Sequence, residues 1–292
     1  MSAHATDIAR PREAAATQTA RRPGVRTVYV WELRKLRAQK RTYLGLGAAV
    51  VVPCLFIVAL MVETGGPDRV PFGRYVRETG LAIPLVLLLF GSIWLFPLIV
   101  SLVAGDIVAA EDRNGTLKTI LTRSVERHQL FFAKVAASFT YAVAALLLFA
   151  LVAAVFGGLR FGFNPLTTLS GNTVSVGRGL VLTGGALLAY LMPVLAIACI
   201  ALLLSTVTRN SAAAIVGALM ISLVMQLLGI ISGLEFLRPY LLSTQFDAWQ
   251  GLLREPIDWD PIGRAAWVCA AYALPSLFAA LTVFVRRDVA GG

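Results

Sequence analysis

Six stretches of the chain run for twenty or more residues without an Asp, Glu, Lys or Arg: Tyr43 to Val62, Leu81 to Ala104, Val135 to Gly158, Val181 to Leu204, Ala212 to Gly233 and Ala265 to Val285. About 20 apolar residues at roughly 1.5 Å each cover about 30 Å of hydrocarbon, where every backbone polar group has to be satisfied within its own helix. The rest of the chain cannot solvate six such helices in water, because only 14% of all residues are charged and the mean hydropathy is +0.76. The expected fold is an all-α integral membrane protein with six transmembrane helices.

The segments outside the spans divide by composition. Residues 1–24, rich in Ala, Thr, Arg and Pro, carry no periodic apolar face and are expected to form a disordered tail, with one six-span domain over 25–292. The first apolar stretch follows some forty residues of basic chain and lacks a small-residue cleavage site, so it reads as a span and not a signal peptide. Cys54, Cys199 and Cys269 all fall within spans and are odd in number, which points to packing and away from a disulfide framework or metal site.

Basic residues set the expected orientation. With the N-terminus in the cytoplasm, the inner segments hold eighteen Lys and Arg and the outer segments eight, while acids divide eight and eight. The positive-inside rule then places both termini and the loop 105–134 in the cytoplasm, of a multi-pass cell membrane protein. The net charge of +10 is sorted by topology, so a nucleic-acid partner is not implied. Membrane lipid is the expected partner of the basic stretch Arg26 to Arg41. There Tyr29, Leu33 and Leu36 share a helical face, and Arg34, Lys35, Arg37, Lys40 and Arg41 are placed to meet anionic headgroups from an amphipathic interfacial helix.

The segment Ala109 to Gln129, "AAEDRNGTLKTILTRSVERHQ", is strongly polar although a span lies on either side. Glu111 and Asp112 open it, Asn114-Gly115 permits a turn, Thr116 can cap a new helix and Ser124 the one after. Leu117, Ile120 and Leu121 fall at i, i+3 and i+4, with Lys118, Thr122 and Arg123 beside them. Such a short amphipathic helix suits a groove on a soluble partner; a solvated loop resting its apolar face on lipid accounts for the same pattern.

Glu111, three residues, Gly115-Thr116-Leu117, then Leu121-Thr122-Arg123, Val125, Arg127 and Lys134 resemble the cytoplasmic signature of ABC transporter permeases of the type-2 exporter class, the ABC-2 type membrane proteins. The similarity extends to the six-span layout, the preceding amphipathic helix and the long segment before the last span. Ser124, Glu126 and Ala133 stand where the family usually has Pro, Ser and Gly. The resemblance implies a permease subunit of an ATP-driven exporter, paired with a second permease subunit, identical or different, and two copies of an ABC ATP-binding subunit. It implies that the loop 105–134 couples to that subunit through Glu111, Gly115, Thr116, Leu117, Lys118, Ile120, Leu121 and Arg127.

The residues themselves locate no energy source in this chain. There is no G-x-x-x-x-G-K-[ST] phosphate loop and no ionisable residue within the apolar windows for a proton or sodium relay. No cofactor is expected here, ATP and Mg belonging to the partner subunit. Catalysis is not expected either, since His4 and His128 are the only histidines and neither lies in a span. The alternative to a permease is a non-transporting membrane sensor or assembly scaffold whose loop binds a different partner.

Within the spans, Ser222 and Gln226 lie one turn apart and form the candidate polar lining of a pathway, or an interhelical hydrogen bond. Pro53, Pro84, Pro97, Pro193 and Pro275 are potential kinks, and Gly184-Gly185, Gly217 and Gly229 potential close approaches. The segment 235–264 mixes five acids, among them an expectedly solvated Glu255, with Phe236, Tyr240, Phe246, Trp249 and Trp259. It is expected to form one or two short helices, re-entrant or interfacial, at the outer leaflet.

Overall fold

The computed structural model describes residues 24–62, 71–113 and 126–286, and it has six helices long and apolar enough to span a membrane. They are Lys40–Val62, Ala82–Ala104, Arg127–Phe161, Val176–Thr208, Ser211–Ile230 and Asp260–Arg286. An amphipathic helix, Val25–Ala38, precedes them and is separated from the first span by extended backbone at Gln39. Antiparallel residues Leu166–Thr167 and Thr173–Val174 pair in a two-stranded hairpin between the third and fourth spans.

The third and fourth spans exceed the apolar windows. At 35 and 33 residues they are roughly 50 Å long, more than the hydrocarbon requires, so both project beyond it. The third begins at Arg127, eight residues before the apolar window, with Glu126 in the cap position in place of the expected Ser124, which lies outside the described residues. The second span is interrupted by a π-helical turn, Gly91–Leu95, directly ahead of Pro97. A π turn adds one residue per turn and relaxes the hydrogen-bond ladder where the proline ring would otherwise crowd it.

The second, third and fourth spans form the core, whereas the first, fifth and sixth bury under a third of their most apolar windows within the chain. Phe149, Phe96, Tyr190 and Phe246 make a continuous run of aromatic contacts across that core, with centroid separations of 5.0, 5.3 and 4.9 Å. Large apolar side chains such as Leu55, Leu227 and Phe278 remain exposed on the outer three spans, as lipid contact or another apolar surface requires.

Gly80 and Gly45 stand where a side chain would collide with a neighbouring element. A Cβ on Gly80 would stand 2.4 Å from the backbone of Gly157 and Gly158 in the third span, and one on Gly45 would stand 2.0 Å from the Tyr141 hydroxyl. Neither had been singled out. Of the glycines that had, Gly184 has open space before it and Gly229 meets Leu241 at ordinary contact distance; Gly185 and Gly217 do face leucine side chains at 3.1 Å.

The segment before the last span forms two 3₁₀ helices, Glu235–Tyr240 and Thr244–Leu253. Phe246 and Trp249 were expected at the membrane interface, yet they are core residues, 1% and 0% exposed, with Phe246 against Tyr190 of the fourth span and Trp249 stacked on Phe72. Phe236, Tyr240 and Trp259 do remain exposed. Glu255 is exposed, as expected, and its carboxylate also accepts from the Asn172 amide at 2.6 Å, while its backbone N–H donates to Ser170 Oγ at 2.8 Å.

Candidate functional site: an ionic ring at the N-terminal face

The N-terminal helix, residues 106–113 after the second span, the start of the third span and the end of the sixth gather at one end of the bundle, the N-terminal face. Val28, Glu32 and Leu36 fall at i, i+4 and i+8 and form the buried stripe of the N-terminal helix, with Tyr29 and Leu33 packed half-buried beside them. The expected apolar face therefore packs on the protein, chiefly the third span, where the Tyr29 hydroxyl is 2.7 Å from Thr140 Oγ1. Glu32, the single acid of Arg26 to Arg41, is carried inward at 2% exposure.

Opposite it stands Lys134 in the third span, with no exposed side-chain surface. Its ammonium donates to Glu32 Oε2 at 3.0 Å and to the Ile107 carbonyl at 3.1 Å, and it forms an ion pair with Glu111 Oε2 at 2.7 Å. Lys35 closes the figure at 2.7 Å from Glu32 Oε1 and 2.6 Å from Glu111 Oε1. Each carboxylate thus gives one oxygen to each ammonium, in a neutral ring of alternating charge. Three elements distant in sequence supply it: the N-terminal helix, the short helix Ala109–Arg113, and the third span.

Burial alone would push the Glu111 carboxyl up, but the Lys134 and Lys35 ammoniums outweigh it and hold the group below its ordinary range. For Lys35, burial works downward and is outweighed by Glu111 and then Glu32, which raise it. Lys35 and Arg41 had been expected to face lipid headgroups. Lys35 is instead a ring member, and Arg41 forms an ion pair with buried Asp106.

The segment 106–112 is in fact tied to most of the bundle. Besides the ring and the Arg41 pair, the Ala109 N–H donates to Ser205 Oγ of the fourth span at 3.0 Å, and Asp112 lies 3.7 Å from Arg209 in the turn between the fourth and fifth spans. Arg209 adopts a left-handed backbone there, and Asn210 caps the fifth span by accepting from Ala212 and Ala213. Arg127 donates to the Val285 carbonyl at 2.7 Å, linking the third span to the end of the sixth. Residues 106–112 thus make ionic contacts with four other elements: the N-terminal helix, the first span, the third span and the turn at Arg209.

Of the expected site residues, Glu111 is in the ring and Arg127 joins two spans, while Gly115, Thr116, Leu117, Lys118, Ile120 and Leu121 lie outside the described residues. Ser222 is buried and Gln226 half-buried in the fifth span, and neither hydrogen-bonds to another described residue. Sequence reasoning missed Glu32, Ser205 and Arg209, and read Asp106 only as one of an acidic cluster with Glu111 and Asp112 at the end of the second span. The available signal for Glu32 was a lone acid on the apolar stripe of a basic helix.

The chain matches the family model of the ABC-2 family transporter proteins over residues 30–229, which takes in both the N-terminal helix from Val30 and the first five spans up to Gly229. No curated protein matches it.

Proposed function

This chain belongs to the ABC-2 transporter family and is a multi-pass membrane permease; from that premise we propose that it draws its work from a separate ABC ATP-binding subunit and couples to it through the N-terminal face. The observation that supports this most is the ring in which Glu111 joins Lys35 and Lys134. A carboxylate leaving the second span grips the N-terminal helix and the third span together, with Lys134 and Glu32 buried and Lys35 at the water-facing edge. Opening such a ring without replacement partners strands charges in a low-dielectric setting and costs several kcal/mol, in the range of about 3–5. Pushing on the residues that follow Glu111 therefore moves the joined elements as a unit more readily than it separates them.

In this reading the permease works as a pair with a second copy or a related chain, served by two ATP-binding subunits that carry ATP and Mg. The basic bias supports a cytoplasmic position for the ring in a cell membrane protein, and the apolar interior suits export of a hydrophobic or amphipathic cargo by alternating access. Leu117, Ile120 and Leu121 dock in a groove of the partner, and Glu111 and Arg127 pass the stroke to the spans.

The test separates docking from coupling. Leu121→Asp is expected to abolish or strongly weaken co-purification of the ATP-binding subunit, and Glu111→Ala to leave co-purification intact while lowering ATP-dependent transport into inverted vesicles per ATP hydrolysed. Wild-type behaviour of both variants would remove the coupling role from this loop.

A further inference from the structure

At the end of the bundle opposite the ring, the second 3₁₀ helix of the segment before the last span and the first turns of that span line an open cavity of about 210 Å³. Thr244, Gln245, Asp247, Gln250, Arg254 and Arg264 supply its polar lining, with the Gln245 amide donating to the Pro239 and Leu241 carbonyls. The walls are fixed by backbone geometry: the Asp258 N–H donates to the Gly251 carbonyl at 3.0 Å and the Arg254 N–H to the same oxygen at 3.4 Å. A Cβ at Gly251 would stand 2.3 Å from the Asp258 carbonyl oxygen, so this tight turn admits only glycine without rearrangement. Asp258 Oδ2, 3.5 Å from Arg254 Nη1, steadies one of the two guanidiniums.

The depth of the cavity follows from its neighbours. Trp259, two residues before the cavity-lining Pro261, is 63% exposed, and Trp267, about one turn deeper than Arg264, is 52% exposed with its ring 5.9 Å from that of exposed Tyr240. Exposed Trp and Tyr at the end of an apolar span mark the level of lipid headgroups. Guanidinium forks present paired N–H donors matched to phosphate or carboxylate oxygens, and the abundant anion at that level is a lipid phosphodiester.

We propose that this cavity binds the phosphodiester of a phospholipid headgroup, with Arg254 and Arg264 holding the phosphate and Gln250 and Thr244 within the same lining as neutral partners. Asp247, the one carboxylate of the lining, favours a monoanionic diester over the more highly charged free phosphate. Surrounding protein pushes its carboxyl upward, although its surface opens on the cavity, and its contact with the Gln250 amide at 3.2 Å works in the opposite direction. The inference does not rest on coupling to an ATP-binding subunit.

Delipidated full-length protein in detergent is titrated with dioleoylphosphatidylglycerol and the bound lipid counted by native mass spectrometry. Arg254→Gln and Arg264→Gln should each weaken binding about tenfold, as loss of a charge-assisted hydrogen bond predicts. Arg178→Gln, an exposed arginine outside the cavity, should leave it unchanged, and Asp247→Asn should strengthen it. Dioleoylglycerol, which lacks the phosphate, and inorganic phosphate, which lacks the diester, should both bind at least about tenfold more weakly by the same reasoning. Binding by the two arginine variants equal to wild type, equal binding of dioleoylglycerol or of inorganic phosphate, or weakening by Asp247→Asn as large as that of the arginine variants would overturn the proposal.

Discussion

Lys134 Nζ lies 2.7 Å from Glu111 Oε2, inside the protein and with none of the lysine side chain exposed. A buried pair of this kind gains little over an apolar pair of the same shape, because removing both charges from water costs about as much as their attraction returns. Removing one partner is a different matter. Lys134→Met should therefore destabilise the protein by about 3–5 kcal/mol, because two buried carboxylates are left with only the part-exposed Lys35 between them, and Lys134→Met combined with Glu111→Gln should recover part of the loss. Denaturation in detergent, followed by tryptophan fluorescence, measures both; a double variant no more stable than the single one would detach Glu111 from Lys134 energetically.

The ring also fixes a pH dependence. The Glu111 carboxyl is held below its ordinary value of 4.5, so its contribution is fully present above pH 4.5 and is lost as the pH falls through the lowered value. Lys35 is raised above 10.5, so its contribution is fully present below pH 10.5 and is lost as the pH rises through the raised value. The stability difference between wild type and Glu111→Gln should be constant from about pH 5 to 10 and shrink on the acid side. Thermal melts across pH check this, and a difference that grew on acidification would have the wrong sign.

Gly45→Ala should lower stability by about 1–3 kcal/mol, the usual cost of overpacking a core, because the new methyl meets the Tyr141 hydroxyl. Tyr141→Phe removes the clashing oxygen, and the next ring atom stands 3.3 Å away. The double variant should thus be more stable than Gly45→Ala alone, which melting temperatures of the three variants resolve.

Tyr190 carries a buried hydroxyl with no hydrogen-bond partner among the described residues, while its ring packs on Phe96 and Phe246. Tyr190→Phe keeps the packing and relieves an unsatisfied polar group, so stability should be unchanged or rise by about 1 kcal/mol. A loss of 2 kcal/mol or more would mean that the hydroxyl has a partner in the membrane, such as a bound water.

The spans were legible in the sequence because hydrocarbon tolerates no charge without a partner, so their apolar windows stand out residue by residue. Their ends were not. The third helix continues from the window at Val135 back to Arg127, since Lys134 is neutralised by Glu32 and Glu111, residues 102 and 23 positions away whose proximity no local pattern encodes. The same reason hid the ring itself: Lys35 reads as one more surface cation of a basic helix until the fold sets Glu111, 76 residues on, beside it. Glu111 and Lys134 were both legible through their places in a family signature, but their pairing, and the part of Glu32 and Lys35 in it, was not. Phe246 and Trp249 were misplaced because an aromatic residue near an expected membrane boundary looks the same whether it faces headgroups or the core.

The central claim is that Glu111 transmits the ATP-binding subunit's cycle to the far end of the bundle. It is tested most directly by spin labels on cysteines placed at exposed Arg178 and Ser232 on the opposite face, with Cys54, Cys199 and Cys269 replaced by alanine, in the complex with its ATP-binding subunit. Distance distributions are recorded with and without ATP, alongside ATP hydrolysis. The wild-type ring should give an ATP-dependent change in distance that Glu111→Gln abolishes while hydrolysis continues; an unchanged ATP-dependent distance shift in Glu111→Gln would contradict the account.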